Sequence, residues 1–236
     1  KIDLQAPLMM PKLPYGRSKV EAKKYVRLQQ QSHPSISIVY PSGVIGPDDP
    51  GFSDAFKALQ YRFNNQFRLF DGGGIQQVDV RDLAAFIRSL LVEGPRLSPA
   101  ELSTSKVPTA NVSVKTAERP SRHLLVGHYL TWLEQADLLD KLAGIPFERV
   151  TVKGWKMRAI GGVMDALRLV KTVDSPISAE TMRYATQWPK MQNSPEISAR
   201  GLSLRKAEDS LRDSLRWMLQ AGYLSSERLP NISASV

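Results

Sequence analysis

Residues 36–40, Ile-Ser-Ile-Val-Tyr, form a short β-branched apolar run between a helical stretch and a Gly/Pro-rich loop, and this order of signals narrows the fold more than any other feature. The run is too short for a helix, and its composition suits a parallel strand buried on both faces. Upstream, Pro14 opens a segment in which Tyr15, Lys19, Ala22 and Val26 follow at spacings of 4, 3 and 4, so that all four share one helical face. Downstream, Pro41-Ser-Gly-Val-Ile-Gly-Pro47 reads as a loop. Helix, buried strand and glycine-rich loop is the rhythm of a doubly wound α/β sheet.

The remainder of the chain extends that rhythm. Phe52, Phe56, Leu59 and Phe63 make a second helical stripe, and the extended segments QFRLF and IQQVDV flank a turn at Asp71-Gly-Gly-Gly74. In the helix after Arg81-Asp82, residues Leu83, Phe86, Ile87, Leu90 and Leu91 are spaced to face a core, and Gly94-Pro95 stops it. Residues 96–122 are polar and proline-containing, as expected of a surface excursion. HLLVG (123–127) returns to strand character, and Thr131 with Glu134 is a capping box for a helix closed by Gly144 and Pro146. ERVTV predicts another strand. After it come a basic amphipathic helix interrupted at Gly161-Gly162, a short helix over Pro176–Trp188 and a long helix ending at Gly222.

Composition excludes several classes of function. The chain of 236 residues has no cysteine, which removes disulfides, thiolate metal sites and a cysteine nucleophile, and fits a reducing compartment such as the cytoplasm. Its three histidines, His33, His123 and His128, lack metal-ligand spacing and read as structural, so no metal is expected. A net charge of +9 raises nucleic acid as a partner, but the basic residues are scattered beside acids and form no run of five, so a solvated surface is the better reading. No apolar run approaches the ~18 residues of a membrane span.

The sharpest chemical signal is Tyr15-x-x-x-Lys19. An i, i+4 pair lies on one helix face ~6 Å apart, close enough for the ammonium to favour the ionised phenol and make it a general acid or base. The loop at the carboxyl end of the following strand is where open α/β sheets bind ligands. In this setting YGRSKVEAKKYV (15–26), IVYPSGVIGPDDP (38–50), GGGIQQVDVRDLAAFI (72–87), YLTWLEQADLLDKLAGIP (129–146), PISAET and SLRDSLRWML resemble the short-chain dehydrogenase/reductase superfamily. The likeness is to its extended branch of NAD(P)-dependent epimerases, dehydratases and reductases.

That resemblance implies an α/β fold: a partial Rossmann-type doubly wound parallel sheet with a smaller α+β carboxyl-terminal substrate domain. The implied division places the Rossmann-type part at 1–150, with substrate-domain excursions near 48–75 and 96–122, and a mainly helical substrate-binding region at 151–236. Tyr15 would be the catalytic acid/base, and Lys19 would bind the nicotinamide ribose. Pro41, Ser42 and Val44 would contact the nicotinamide end of NAD or NADP. Asp79 and Asp82 read as structural, through turn and helix capping. The expected reaction is hydride exchange between nicotinamide and a small carbonyl or alcohol substrate, with sugar-nucleotide epimerisation or a non-catalytic binding module as alternatives.

The family's opening glycine-rich strand-to-helix turn does not occur, so the chain is expected to correspond to the carboxyl-terminal two-thirds of such an enzyme. The family also implies a homodimer through the helix of Tyr15. Over 155–170, Trp155, Met157, Ile160, Met164 and Leu167 alternate with Lys and Arg. The favoured expectation is that this apolar face covers the substrate cavity, with peripheral membrane contact as the alternative.

Overall fold

The structure, a computed structural model, describes residues 4, 7–11, 13–33, 35–93, 121–172 and 177–234. Of the expected surface excursion at 96–122, all but the last two residues lie outside the described residues. In chain order the elements are α1 (Pro14–Ser32), β1 (Ser37–Pro41), β2 (Gly43–Ile45), α2 (Asp54–Asn64), β3 (Phe67–Phe70) and β4 (Gly74–Asp79). Next come α3 (Val80–Glu93), β5 (Ser121–Leu125), β6 (His128–Thr131), α4 (Trp132–Ala143) and β7 (Arg149–Val152). The chain continues through α5 (Gly154–Leu167), α6 (Ala179–Gln187), α7 (Glu196–Ala199), α8 (Ala207–Gln220) and α9 (Pro230–Ser233). It is a mixed α/β protein with parallel strand pairs. No helix among the described residues is long and apolar enough to cross a membrane.

Two compact units form, each from three stretches of chain. The first comprises 1–42, 81–126 and 192–204. Its strands β1 and β5 run parallel, with Ser37 opposite Ser121 and Pro41 opposite Leu125. The β-branched run read from the sequence is therefore a parallel strand, although its residues are only partly buried. The core gathers Phe86 and Leu90 of α3, Leu124 and Leu125 of β5, and Ile197 of α7. Ile87 and Leu91, expected to face the core, are exposed, because Phe86 and Leu90 occupy the inward face. Asn193 and Ser194 then run along β5 as hydrogen-bonding partners: Asn193 Oδ1 accepts from Val126 N, and Ser194 Oγ accepts from Leu124 N, each at 2.7 Å.

In this unit Gln30 joins the carboxyl end of α1 to the strands. It is the only buried residue of that helix. Gln30 Nε2 donates to the carbonyls of Ile36 at 2.8 Å and Ser121 at 3.3 Å, while its Oε1 accepts from Arg122 Nε at 3.0 Å. A buried amide satisfied on both its donor and acceptor sides fixes the helix end to both strands.

The second unit comprises 43–80, 127–191 and 205–236. A three-stranded sheet has the order β2-β4-β6, with β2 parallel and β6 antiparallel to β4. A separate parallel pair joins β3 to β7. The glycine turn at 71–74 thus links strands of different sheets. The core is the expected stripe Phe56, Leu59 and Phe63 packed with Ala136 and Leu139 of α4 and Leu211, Leu215 and Met218 of α8. Phe52, at φ +43, precedes α2 and stacks on Tyr223 with ring centroids 3.9 Å apart.

The capping box is present: Thr131 Oγ1 accepts from Glu134 N, Thr131 N donates to the Glu134 carboxylate, and Gly144 closes α4 at φ +86. Helix α5 is continuous through Gly161-Gly162, contrary to the expected interruption. The reason is contact. A Cβ on Gly161 would lie 2.5 Å from the Ser178 carbonyl oxygen, so glycine there lets α5 approach the start of α6.

Candidate active site

Proline at the first turn of α1 costs no hydrogen bond, since the first N–H groups of a helix have no internal acceptor, and it sets Tyr15 in the same turn. Ser18 Oγ donates to the Tyr15 carbonyl at 2.8 Å, and Arg17 Nε donates to the Pro11 carbonyl at 3.1 Å, so this end is held locally. Tyr15 is 75% exposed. Lys19 is also exposed, with its Nζ 5.2 Å from the centre of the Tyr15 ring. The spacing read from the sequence therefore yields a phenol with an ammonium group beside it, and both are open to a ligand.

Pro41 ends β1 and is exposed. Ser42 follows it, held by its N–H to the Leu125 carbonyl at 3.3 Å and by Oγ donating to the Val126 carbonyl at 2.8 Å. Pro41 and Ser42 belong to the same unit as Tyr15 and Lys19, and no hydrogen bond joins them to that pair among the described residues. Val44 belongs to the second unit, where it pairs with Val78 of β4. Asp79 and Asp82 are both buried.

The four-residue spacing continues along α1. Lys23 places its ammonium 4.4 Å from the centre of the Tyr40 ring on β1. Burial holds the Lys23 ammonium below its ordinary pKa, and the neighbouring Arg27 and Arg122 guanidinium groups push the same way. The periodic series Tyr15, Lys19, Lys23, Arg27 was the available signal, but the ring of Tyr40 and the charge of Arg122 come from other elements. No cluster of three metal-ligating side chains occurs among the described residues. His128 Nε2 lies 2.7 Å from the Arg205 carbonyl oxygen, and His33 Nδ1 lies 3.3 Å from that of Gln29, as suits structural histidines.

No protein-family model matches the sequence. No curated protein matches it either. Solved structures do match. The chain superposes on gox2253 with a TM-score of 0.65 at 19% identity, covering 89% of this chain and 57% of that one. UDP-glucose 4-epimerase from Bifidobacterium longum, solved with NAD+ and UDP, matches with a TM-score of 0.53 at 15% identity over 94% of this chain and 59% of its own. Vestitone reductase from alfalfa matches with a TM-score of 0.50 at 16% identity over 89% and 53%. The fold is shared with epimerases and reductases. At these identities the likeness is one of fold, and this chain spans less than two thirds of the length of each protein.

In the frame of this epimerase and reductase fold, the described residues can be tested against a dinucleotide. A phenol and an ammonium group, adjacent and exposed, are the donors that suit a ribose and a reacting carbonyl. A pyrophosphate is best held by a free helix N-terminus after a strand. Three described helices start within two residues of a strand, and each N-terminus already carries a carboxylate. Asp82 lies in the first turn of α3, Glu134 accepts from Thr131 N at α4, and Asp71 Oδ1 accepts from Gly154 N at 2.6 Å at α5. The described residues therefore fit the nicotinamide-ribose end of such a cofactor and supply no seat for its pyrophosphate.

Proposed function

We propose that this chain carries the proton-transferring part of an NAD(P)-dependent oxidoreductase site of the extended short-chain dehydrogenase/reductase type, acting on a small carbonyl or alcohol substrate. The observation that carries the reading is the exposed Tyr15 phenol with the Lys19 ammonium 5.2 Å from its ring centre, on a helix that buries one residue. Tyr15 is three-quarters exposed, so its phenol is accessible to a substrate.

A bound nicotinamide supplies the hydride in reduction and accepts it in oxidation. Tyr15 Oη gives a proton to the substrate oxygen as the carbonyl carbon is reduced, and takes it back in the reverse direction. Lys19 donates to ribose hydroxyls and offsets the negative charge left on Tyr15 Oη after proton transfer. Pro41 and Ser42, in the same unit as Tyr15, are assigned to the nicotinamide end. The fold suits an epimerase acting on a nucleotide sugar equally well. The resemblance of PSGVIGPDDP (41–50) and DVRDLA (79–84) to reductases favours carbonyl reduction.

The test is turnover of NADH and NADPH with a panel of ketones, alongside cofactor titration by fluorescence. Tyr15→Phe is expected to lower turnover by ~10²–10⁴-fold, with unchanged melting temperature and nearly unchanged cofactor affinity. Lys19→Met is expected to weaken cofactor binding as well. Retained turnover in Tyr15→Phe would sink the assignment, and failure of the chain to bind either cofactor would leave the binding-module reading.

A further inference from the structure

We propose that helix α5 is a docking surface for an anionic lipid bilayer. Met157 and Gly161 are buried, and the polar residues beside them are the ones with inward partners. Arg158 Nη1 donates to Thr186 Oγ1 at 2.8 Å, Asp165 Oδ2 accepts from Ala179 N at 3.0 Å, and Asp165 Oδ1 accepts from Arg168 Nη1 at 2.8 Å. The outward face carries the apolar residues. On the helix Trp155, Ile160, Val163 and Leu167 are exposed, and Leu169 and Val170 in the turn that follows it are more exposed still, from 46% for Ile160 to 89% for Val170. At 100° per residue the exposed positions of the helix sweep roughly 160° of its surface, and no carboxylate falls on that arc.

This is the reverse of the usual surface helix, which turns its apolar stripe inward and its charges to water. The face expected from the sequence is divided: Met157 is buried, whereas Trp155, Ile160 and Leu167 are exposed. A face of this kind is stabilised by an apolar medium outside the protein. Charge identifies the medium. Lys153, Lys156 and Lys171 stand exposed at the two ends and within the arc, and Lys156 Nζ lies 5.7 Å from the centre of the Trp155 ring. Lys153 has Asp71 at 3.8 Å, whereas neither Lys156 nor Lys171 forms an ion pair among the described residues. An apolar helical face with an indole at one end and uncompensated lysines with flexible apolar stems suits the headgroup layer of an anionic membrane. A second copy of the chain suits it less well. A two-fold contact through the same patch would bring these lysines against their own equivalents. The overall charge of +9 adds long-range attraction toward an anionic surface.

The test is co-sedimentation with vesicles of phosphatidylcholine alone and of phosphatidylcholine mixed with phosphatidylserine, at low and high salt. The full chain is expected to bind the mixed vesicles at low salt, weakly or not at all the neutral ones, and to be released by salt. The double variant Val163→Glu, Leu167→Glu should lose roughly ten-fold or more of the partitioning, and Lys156→Glu should weaken binding to the mixed vesicles only. These positions are exposed, so near-ultraviolet circular dichroism should be unchanged. Trp155→Ser at the other end of the face is the second variant should the double one misfold, and it too should lose binding. Absence of wild-type binding to the mixed vesicles at low salt would overturn the proposal, as would undiminished binding by the variants. So would a concentration-dependent dimer in sedimentation velocity that Val163→Glu dissociates while vesicles capture nothing.

Discussion

Helices α1 and α8 are both amphipathic in sequence, yet the first buries one residue in nineteen and the second five in fourteen. Helix α8 places Leu211, Leu215 and Met218 at helical spacing into the core of the second unit, and its Ser210 and Ser214 are also buried, with Ser214 Oγ donating to the Ser210 carbonyl at 2.7 Å. Helix α1 is held at its carboxyl end by the hydrogen bonds of Gln30 and presents Tyr15, Lys19 and Tyr25 outward. The contrast separates two tasks: one helix supplies cohesion, and the other offers side chains. A helix with so little burial can be altered on its outer face at small cost in stability, whereas α8 tolerates almost no change on its inner one.

Core truncation should show this difference most strongly. Leu215→Ala removes a fully buried side chain from the packed cluster and is expected to cost about 2–5 kcal/mol in urea unfolding. Val26→Ala, at a half-buried position on α1, should cost less than about 1 kcal/mol. Equal losses at the two positions would erase the distinction between the helices.

A backbone substitution in the second unit comes next. Gly127 sits at φ +61, and a Cβ there would lie 2.0 Å from the Gln77 carbonyl oxygen of β4. Both the conformation and the contact exclude a side chain. Gly127→Ala should therefore destabilise by roughly 2–4 kcal/mol, and a neutral result would show that β4 can move aside.

Gln30→Ala probes the other side of the comparison. It deletes three part-buried hydrogen bonds, for an expected loss of about 1–3 kcal/mol. Amide exchange should rise along α1 before it rises in α8. If protection falls equally in both helices, α1 is not held chiefly by this residue.

The parts of the molecule that could be read in advance share a property: their causes are local. The capping box of Thr131 and Glu134 needs four consecutive residues, and the stripe Phe56, Leu59, Phe63 needs two turns of helix. Tyr15 and Lys19 meet because helical geometry alone brings positions i and i+4 together. What escaped depended on distant partners. The pairing of β3 with β7 joins residues such as Phe67 and Arg149, and Gln30 finds the Ser121 carbonyl 91 positions away. The face of α5 is the clearest case. The sequence grouped Met157 with Trp155, Ile160 and Leu167, but Met157 is buried and Val163 is exposed, because Thr186 and Ala179 give Arg158 and Asp165 inward partners and so set which way the helix faces. Periodicity defines a stripe and leaves open which medium the stripe faces.

The smallest effect concerns a buried histidine and its partly buried carboxylate neighbour in the first unit. His123 of β5 is 2% exposed and lies edge-on to Phe86, with its Nδ1 3.9 Å from Glu196 Oε2 of α7. That separation is ion-pair range and longer than a hydrogen bond, and both imidazole nitrogens lack a hydrogen-bonding partner among the described residues. The facing imidazole still holds the Glu196 carboxyl below the usual carboxylate range, against the opposing effect of burial, and Arg200 reinforces it. A carboxyl whose folded pKa is depressed adds stability above its unfolded pKa, near 4.5, and loses it as pH falls through the lower folded value. Glu196→Gln keeps the shape and an acceptor oxygen but cannot ionise. The variant should therefore be slightly less stable than the parent at neutral pH, with the gap closing as urea unfolding is repeated toward about pH 4 and below. A gap that stayed constant or widened on acidification would mean that the pair contributes through packing against Phe86 rather than through charge, and that the first unit, like the second, is held by its apolar contacts.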